Sequence, residues 1–157
     1  DRMQDLEPPD IVTIDVSFIS VRHILIPLRV HVTGKTSLIV LVKPQFELDR
    51  PYPGFTGVVR NAERHRSILE SLCEFFQGSG YGVRNCTFSP IRGPKGNIEY
   101  FVHLQPYSSM VYGSAHEFTH GSDHGLAYNF AVTRQKLSAL VSESYRYFNI
   151  SGGDGDD

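Results

Sequence analysis

Leu38-Ile39-Val40-Leu41-Val42-Lys43-Pro44 is the stretch that decides the fold. Five apolar residues in a row, without alternation, form a segment of strand length rather than helix length. The absence of alternation predicts a strand covered by helices on both faces, as in a parallel α/β sheet. Pro44 opens a long loop, which leaves Lys43 at the carboxyl end of the strand.

Upstream, Ile11-Val12-Thr13-Ile14-Asp15 is a second short run rich in β-branched residues and reads as a strand. From Phe18 the period changes, and Val21, Ile24, Leu25 and Leu28 fall on one helical face. Pro27 removes a backbone donor and should kink or shorten that helix. Downstream, residues 44–60 carry Pro44, Pro51, Pro53, Gly54 and Gly57 and read as a loop long enough to be functional. Asn61 is placed to cap a helix with Glu63 in its first turn. His65, Ile68, Leu69, Leu72 and Phe76 form the stripe of that helix, which should end near Gly78 and Gly80. A strand over Tyr81 to Phe88, a turn-rich stretch from Ser89 to Asn97, and an alternating strand through Ile98, Tyr100, Val102 and Leu104 follow.

Right-handed crossovers make the first three strands parallel, and the short last connection makes the fourth antiparallel. The expectation is α/β: the C-terminal half of a Rossmann-like sheet over residues 1–105, followed by an extension over residues 106–157. Within that extension Leu137, Leu140, Val141, Ser144 and Tyr145 share one side of a helix, and Ser151 to Asp157 form an acidic, Gly-rich tail expected to be disordered.

Composition narrows the function. Fifteen basic residues against seventeen acidic ones give a formal net charge of −2, which is not the balance of a free-standing nucleic-acid binder. Any RNA contact must come from a local patch or another segment. The two cysteines, Cys73 and Cys86, have no metal-ligand spacing and point to a reducing, cytoplasmic setting. No apolar run approaches the roughly 20 residues needed to cross a bilayer, so no membrane partner is expected. The first residue is Asp1, not Met, and the expectation is a chain that begins inside a longer product.

Open α/β sheets bind ligands beyond the carboxyl ends of their parallel strands. Asp15 and Lys43 occupy two such ends, and Glu99 begins the antiparallel strand, on the same edge. Each alone is an ordinary strand-end polar residue; their convergence on one crevice is what points to chemistry.

The same residues carry a resemblance. Ile14-Asp15-Val16-Ser17-Phe18-Ile19-Ser20, Leu41-Val42-Lys43-Pro44-Gln45-Phe46-Glu47 and Gly93-Pro94-Lys95-Gly96-Asn97-Ile98-Glu99 resemble three successive signatures of the TlyA/FtsJ-like ribosomal RNA methyltransferases, whose members are often labelled hemolysins. Gly57-Val58-Val59-Arg60-Asn61 is similar to a fourth, and together the blocks span about residues 5–105. The resemblance implies methyl transfer from S-adenosylmethionine to a ribose 2′-hydroxyl of RNA, ribosomal RNA being the expected substrate, with no metal. It implies a lysine–aspartate–lysine–glutamate tetrad whose last three members match Asp15, Lys43 and Glu99. The first lysine and the Gly-rich donor loop would lie upstream of these residues. Ser17 and Phe18 are then candidate donor contacts, and Arg60, Arg92 and Lys95 candidate RNA contacts. Lys43 is the candidate base or hydroxyl-orienting group, since a lysine can accept a proton when burial or a neighbouring cation disfavours its charge. Asp15 and Glu99 would position the ammonium groups. The sequence departs from the family where Gly54-Phe55-Thr56-Gly57 replaces a usual glycine-lysine-glycine-glycine run.

Two other readings belong to different classes. One is a catalytically silent remnant that serves as a binding or assembly module; on either reading the strand at Ile11–Asp15 should be left as an exposed edge through which this chain alone could self-associate. The other is a zinc hydrolase, because His116-Glu117-Phe118-Thr119-His120 fits the H-E-x-x-H pattern, with His124 as a third candidate ligand. Gly113-Ser114 before that motif and Gly121-Ser122-Asp123 after it favour a loop, whereas zinc binding through this spacing needs a helix.

Overall fold

The computed structural model describes residues 6–108 and 130–150. Strand β1 (Ile11–Ile14) leads to helix α1 (Arg22–Leu28), then to β2 (Ser37–Val42), α2 (Ala62–Gly78), β3 (Tyr81–Phe88), β4 (Tyr100–Pro106) and α3 (Phe130–Tyr147). Pro27 falls inside α1, which lasts seven residues before tightening into a 3-10 turn over Arg29–His31, so the shortening expected from that proline is present. Asn61 caps α2 through its side chain, which accepts from the Arg64 amide at 3.0 Å.

The four strands form one sheet in the order β1-β2-β4-β3. β1 and β2 are parallel, while β4 runs antiparallel to both β2 and β3. Three strands therefore share a direction and the last is reversed, as expected. The reversed strand is not at the edge: it is inserted between β2 and β3. Val42 pairs with Tyr100, and that register puts the start of β4 beside the end of β2.

Burial alternates along β2 and β4. Leu38, Val40, Val42, Tyr100, Val102 and Leu104 are fully buried, whereas Ile39, Leu41, Phe101 and His103 are half-buried. The cover on both faces expected from the unbroken apolar run is thus not complete: among the described residues only one face carries the core. Leu25 of α1 and Ile68, Leu69, Leu72 and Phe76 of α2 join that core.

Helix α3 packs on α2 and β3, and its Leu137, Val141, Ser144 and Tyr145 are buried. The helix of the extension thus shares the core of the sheet. It ends in a left-handed residue, Asn149 (φ +57°), with the Ile150 amide donating to the Tyr145 carbonyl at 3.0 Å and the Asn149 amide to Arg146 at 3.1 Å. That is a Schellman ending, in which asparagine stands where glycine is commonest.

Candidate active site

The parallel pairing of β1 with β2 runs to Ile14–Val40 and the antiparallel pairing of β2 with β4 to Val42–Tyr100, so Asp15, Lys43 and Glu99 all lie just past the strand ends at one edge. The side chains follow. Lys43 Nζ lies 2.6 Å from Asp15 Oδ1 and donates to Ser17 Oγ at 3.0 Å. Glu99 is buried at the start of β4, close enough for the charges of Lys43 and Asp15 to act on it. Burial raises the Glu99 pKa, against the opposing pull of Lys43 and of a side-chain hydrogen bond from Gln45. The Gln45 amide oxygen is buried without a partner, so its amide nitrogen is the group that donates to Glu99. Asp15, Lys43 and Glu99, 28 and 56 positions apart, are brought together at one edge of the sheet.

Local geometry holds the three in place. Gly93 passes so near Glu99 that an added Cβ would sit 2.6 Å from Oε1, so no side chain fits there while the carboxylate keeps its place. Pro44 to Phe46 make a 3-10 turn directly after Lys43, closed by the Phe46 amide donating to the Lys43 carbonyl at 2.9 Å. The carboxylate of Glu47, buried behind that turn, accepts from Ser20 Oγ at 2.6 Å and from the Val21 amide at 2.9 Å. It thereby ties the turn after β1 to the turn after β2 and satisfies the Val21 amide at the start of α1, while Ser20 Oγ accepts from the next amide, that of Arg22, at 3.2 Å. Phe18, on the same turn, has φ +66° and a 91% exposed surface, its ring 5.1 Å from that of Phe46. A bulky residue in left-handed backbone costs about 1–2 kcal/mol and is a mark of functional sites.

A cleft of about 570 Å³ opens beside Lys43 and Glu99, within the roughly 300–1,000 Å³ range of small-ligand sites. Phe18 and Phe46 line its inner side, and Phe55, Gly57, Pro94 and Lys95 its outer side. Lys95 Nζ lies over Gly57, 3.4 Å from where a Cβ would stand. Asn97 joins the two outer loops: its Oδ1 accepts from the Val59 amide at 3.0 Å and its Nδ2 donates to the Gly57 carbonyl at 2.9 Å.

The three basic candidates separate. Lys95 lines the cleft; Arg60 is exposed and donates to Thr56 Oγ1 at 3.3 Å. Arg92 is engaged elsewhere, donating to the Phe148 carbonyl at 2.9 Å with its guanidinium 4.6 Å above the Phe148 ring. The His116–His120 motif and His124 lie outside the described residues, as does the acidic tail. Among the described residues, no group of three or more metal-ligating side chains is assembled, and no helix is long and apolar enough to cross a membrane.

Gln45, Glu47 and Asn97 carry no signal of a role in the sequence beyond their place in the three quoted blocks. What they do depends on contacts between loops 26 to 54 positions apart, which local periodicity does not encode.

This sheet, with a lysine paired to one carboxylate and sharing a cleft with a second, is of the methyltransferase class. The FtsJ-like methyltransferase family model matches residues 1–106, and the chain belongs to that family. It is 44% identical over 96 residues to YqxC of Bacillus subtilis, a candidate rRNA methyltransferase, covering 61% of this chain and 34% of that one. It is 37% identical over 97 residues to the 16S/23S rRNA (cytidine-2′-O)-methyltransferase TlyA of Mycobacterium tuberculosis, covering 61% and 36%. A solved structure of a candidate hemolysin from Streptococcus thermophilus superposes with a TM-score of 0.71 at 30% identity, covering 94% of this chain and 49% of that one. That coverage reaches past residue 106, so the likeness includes part of the extension. The chain spans about a third of the length of the curated relatives quoted and about half of the solved structure.

Proposed function

We propose that this chain is the substrate-side half of an S-adenosylmethionine-dependent RNA 2′-O-methyltransferase domain acting on ribosomal RNA in the cytoplasm. The observation that carries the proposal is Lys43, held by Asp15 at 2.6 Å and sharing a cleft with Glu99 at the ligand edge of the sheet. The curated relatives named for rRNA methylation support it.

A ribose hydroxyl is a poor nucleophile until its proton is removed. Lys43 takes the role of base or hydroxyl-orienting group, while Asp15 and Glu99 fix where its nitrogen points. The donor, when bound, supplies an electrophilic methyl group on a sulfonium leaving group. Of a donor pocket, the chain offers only the turn after β1, where Ser17 and the exposed Phe18 are the available contacts; a Gly-rich floor is not among these residues. The cleft reaches from Ser17 and Phe18 after β1 past Lys43 after β2 to Glu99 before β4, which gives the target nucleotide a place beside the donor contacts. Phe18, Phe46 and Phe55 offer faces on which a base can stack, and Lys95 and Arg60 offer cations to the flanking phosphates.

Calorimetry and a labelled-methyl assay on the 157-residue chain, and on the chain extended upstream, test this reading. The extended chain should bind donor and methylate ribosomal RNA, and the short one should do neither. Tight donor binding by the 157 residues alone would show that the wrong half of the site has been assigned.

A further inference from the structure

The outer wall of the cleft is built from two loops, residues 55–60 and 92–97, and both are pinned to the end of α3. Tyr145 Oη donates to the Arg60 carbonyl at 2.6 Å. One residue earlier in the loop, the Val59 carbonyl accepts from His65 Nε2 at 2.8 Å, and the His65 ring meets Tyr145 edge to face at 5.6 Å. The other loop is held by Arg92, which donates to the Phe148 carbonyl and stacks on the Phe148 ring. Asn97 closes the circuit by bonding the first loop to the second.

The sequence between Lys43 and Asn61 has no helix or strand of its own beyond one 3-10 turn, so its shape must be imposed from outside. Ordering backbone has an entropic cost, and a wall left loose in the free protein would have to meet it when substrate binds. Tyr145 fixes the backbone of Arg60, an exposed residue three positions past the cleft-lining Gly57, and thereby limits where that cation can reach.

We infer that the C-terminal helix is a working part of the substrate site, with Tyr145 as a positioning residue that presets the outer wall for RNA through the Arg60 carbonyl. The inference rests on the methyltransferase reading for its substrate, but the coupling between helix and wall stands apart from it.

Two measurements on the full-length protein test it. Tyr145→Phe keeps the ring packing and removes one neutral hydrogen bond, an effect of about fivefold in an equilibrium. Amide exchange over residues 57–60 should therefore accelerate by about fivefold. The KM for RNA should rise by a similar factor while kcat and donor affinity stay within twofold, a split that simple loss of stability would not give. Arg92→Gln should give the same kinetic split, with faster exchange over residues 93–96. Arg146→Ala, whose side chain bonds only to its own helix at Ser142, should change neither. Unchanged exchange in Tyr145→Phe would overturn the coupling, and faster exchange with an unchanged KM would overturn the role in RNA binding. If the wild-type protein transfers no methyl group at all, the methyltransferase reading fails, and the exchange result still decides whether the helix sets the wall.

Discussion

Lys43 Nζ and Asp15 Oδ1 lie 2.6 Å apart, although each ends a different strand and 28 positions separate them. The pair is uneven, with 65% of the Asp15 side chain exposed against 14% for Lys43. An ion pair with one partner so open to water contributes little to stability, about 0–1 kcal/mol. In the proposed mechanism its role is to aim the lysine.

Asp15→Asn should therefore leave the fold nearly unchanged and disable the chemistry. The expected result is a stability change under about 1 kcal/mol by urea denaturation, with methyl transfer reduced by about 100-fold or more, as when a group acting on the reacting centre is lost. A large loss of stability with modest loss of turnover would mean the pair is structural.

Gly93→Ala probes Glu99 without touching it. The new Cβ would approach Glu99 Oε1 to 2.6 Å, and the carboxylate, as the end of a flexible side chain, is what yields. We expect about a 10-fold or greater fall in kcat, since small displacements at a reacting centre are costly, with the fold retained. Unchanged kcat would remove Glu99 from the working site.

His65 makes the fold acid-sensitive. It is fully buried on α2, with Nε2 donating to the Val59 carbonyl and Nδ1 accepting from Tyr100 Oη at 3.0 Å, so both nitrogens are occupied by the neutral ring. Burial lowers its pKa from 6.5 to about 4, against a smaller opposing effect of the Val59 bond. Between those values the unfolded chain holds a proton that the folded one lacks, so stability falls as pH drops from about 6.5 to about 4. The loss from this residue is on the order of 3 kcal/mol. Urea titrations of wild type and His65→Gln across that window should show a shallower pH dependence in the variant; parallel curves would contradict the assignment.

β1 is an edge of the sheet, and among the described residues nothing pairs with its outer side. Ile11 on that strand is 65% exposed. Such an edge invites strand addition, so the 157-residue chain alone should self-associate. Sedimentation velocity over a range of concentrations should show it, with weakening on Thr13→Pro, which removes an outward-facing donor from the edge. A monomer at all concentrations would contradict the expectation.

Much of this was legible in residue order. β3 was bounded at Tyr81 and Phe88 because turn-formers flank a β-rich run, and α2 because Asn61 and Gly78 punctuate its ends. The convergence of Asp15, Lys43 and Glu99 followed from strand polarity alone, since polarity fixes which edge each strand end occupies. Incomplete cover of Ile39 and Leu41 was not legible, because an apolar run records what a strand tolerates and not what is packed on it. The assignment of Arg92 was also out of reach: its partner Phe148 is 56 positions away, just past a helix whose docking no local pattern reveals. Arg60 and Lys95 look alike in sequence to Arg92, and only packing distinguishes them.

The most direct test of the central claim is the chemistry at the ribose. Full-length protein, donor and ribosomal RNA should yield an alkali-resistant linkage and a 2′-O-methylated nucleoside on nuclease digestion and mass spectrometry. Lys43→Ala should abolish that product while leaving donor affinity within about twofold, because the proposal puts Lys43 at the hydroxyl and not at the donor. Methylation of a base instead of the ribose, or undiminished product from Lys43→Ala, would contradict the account.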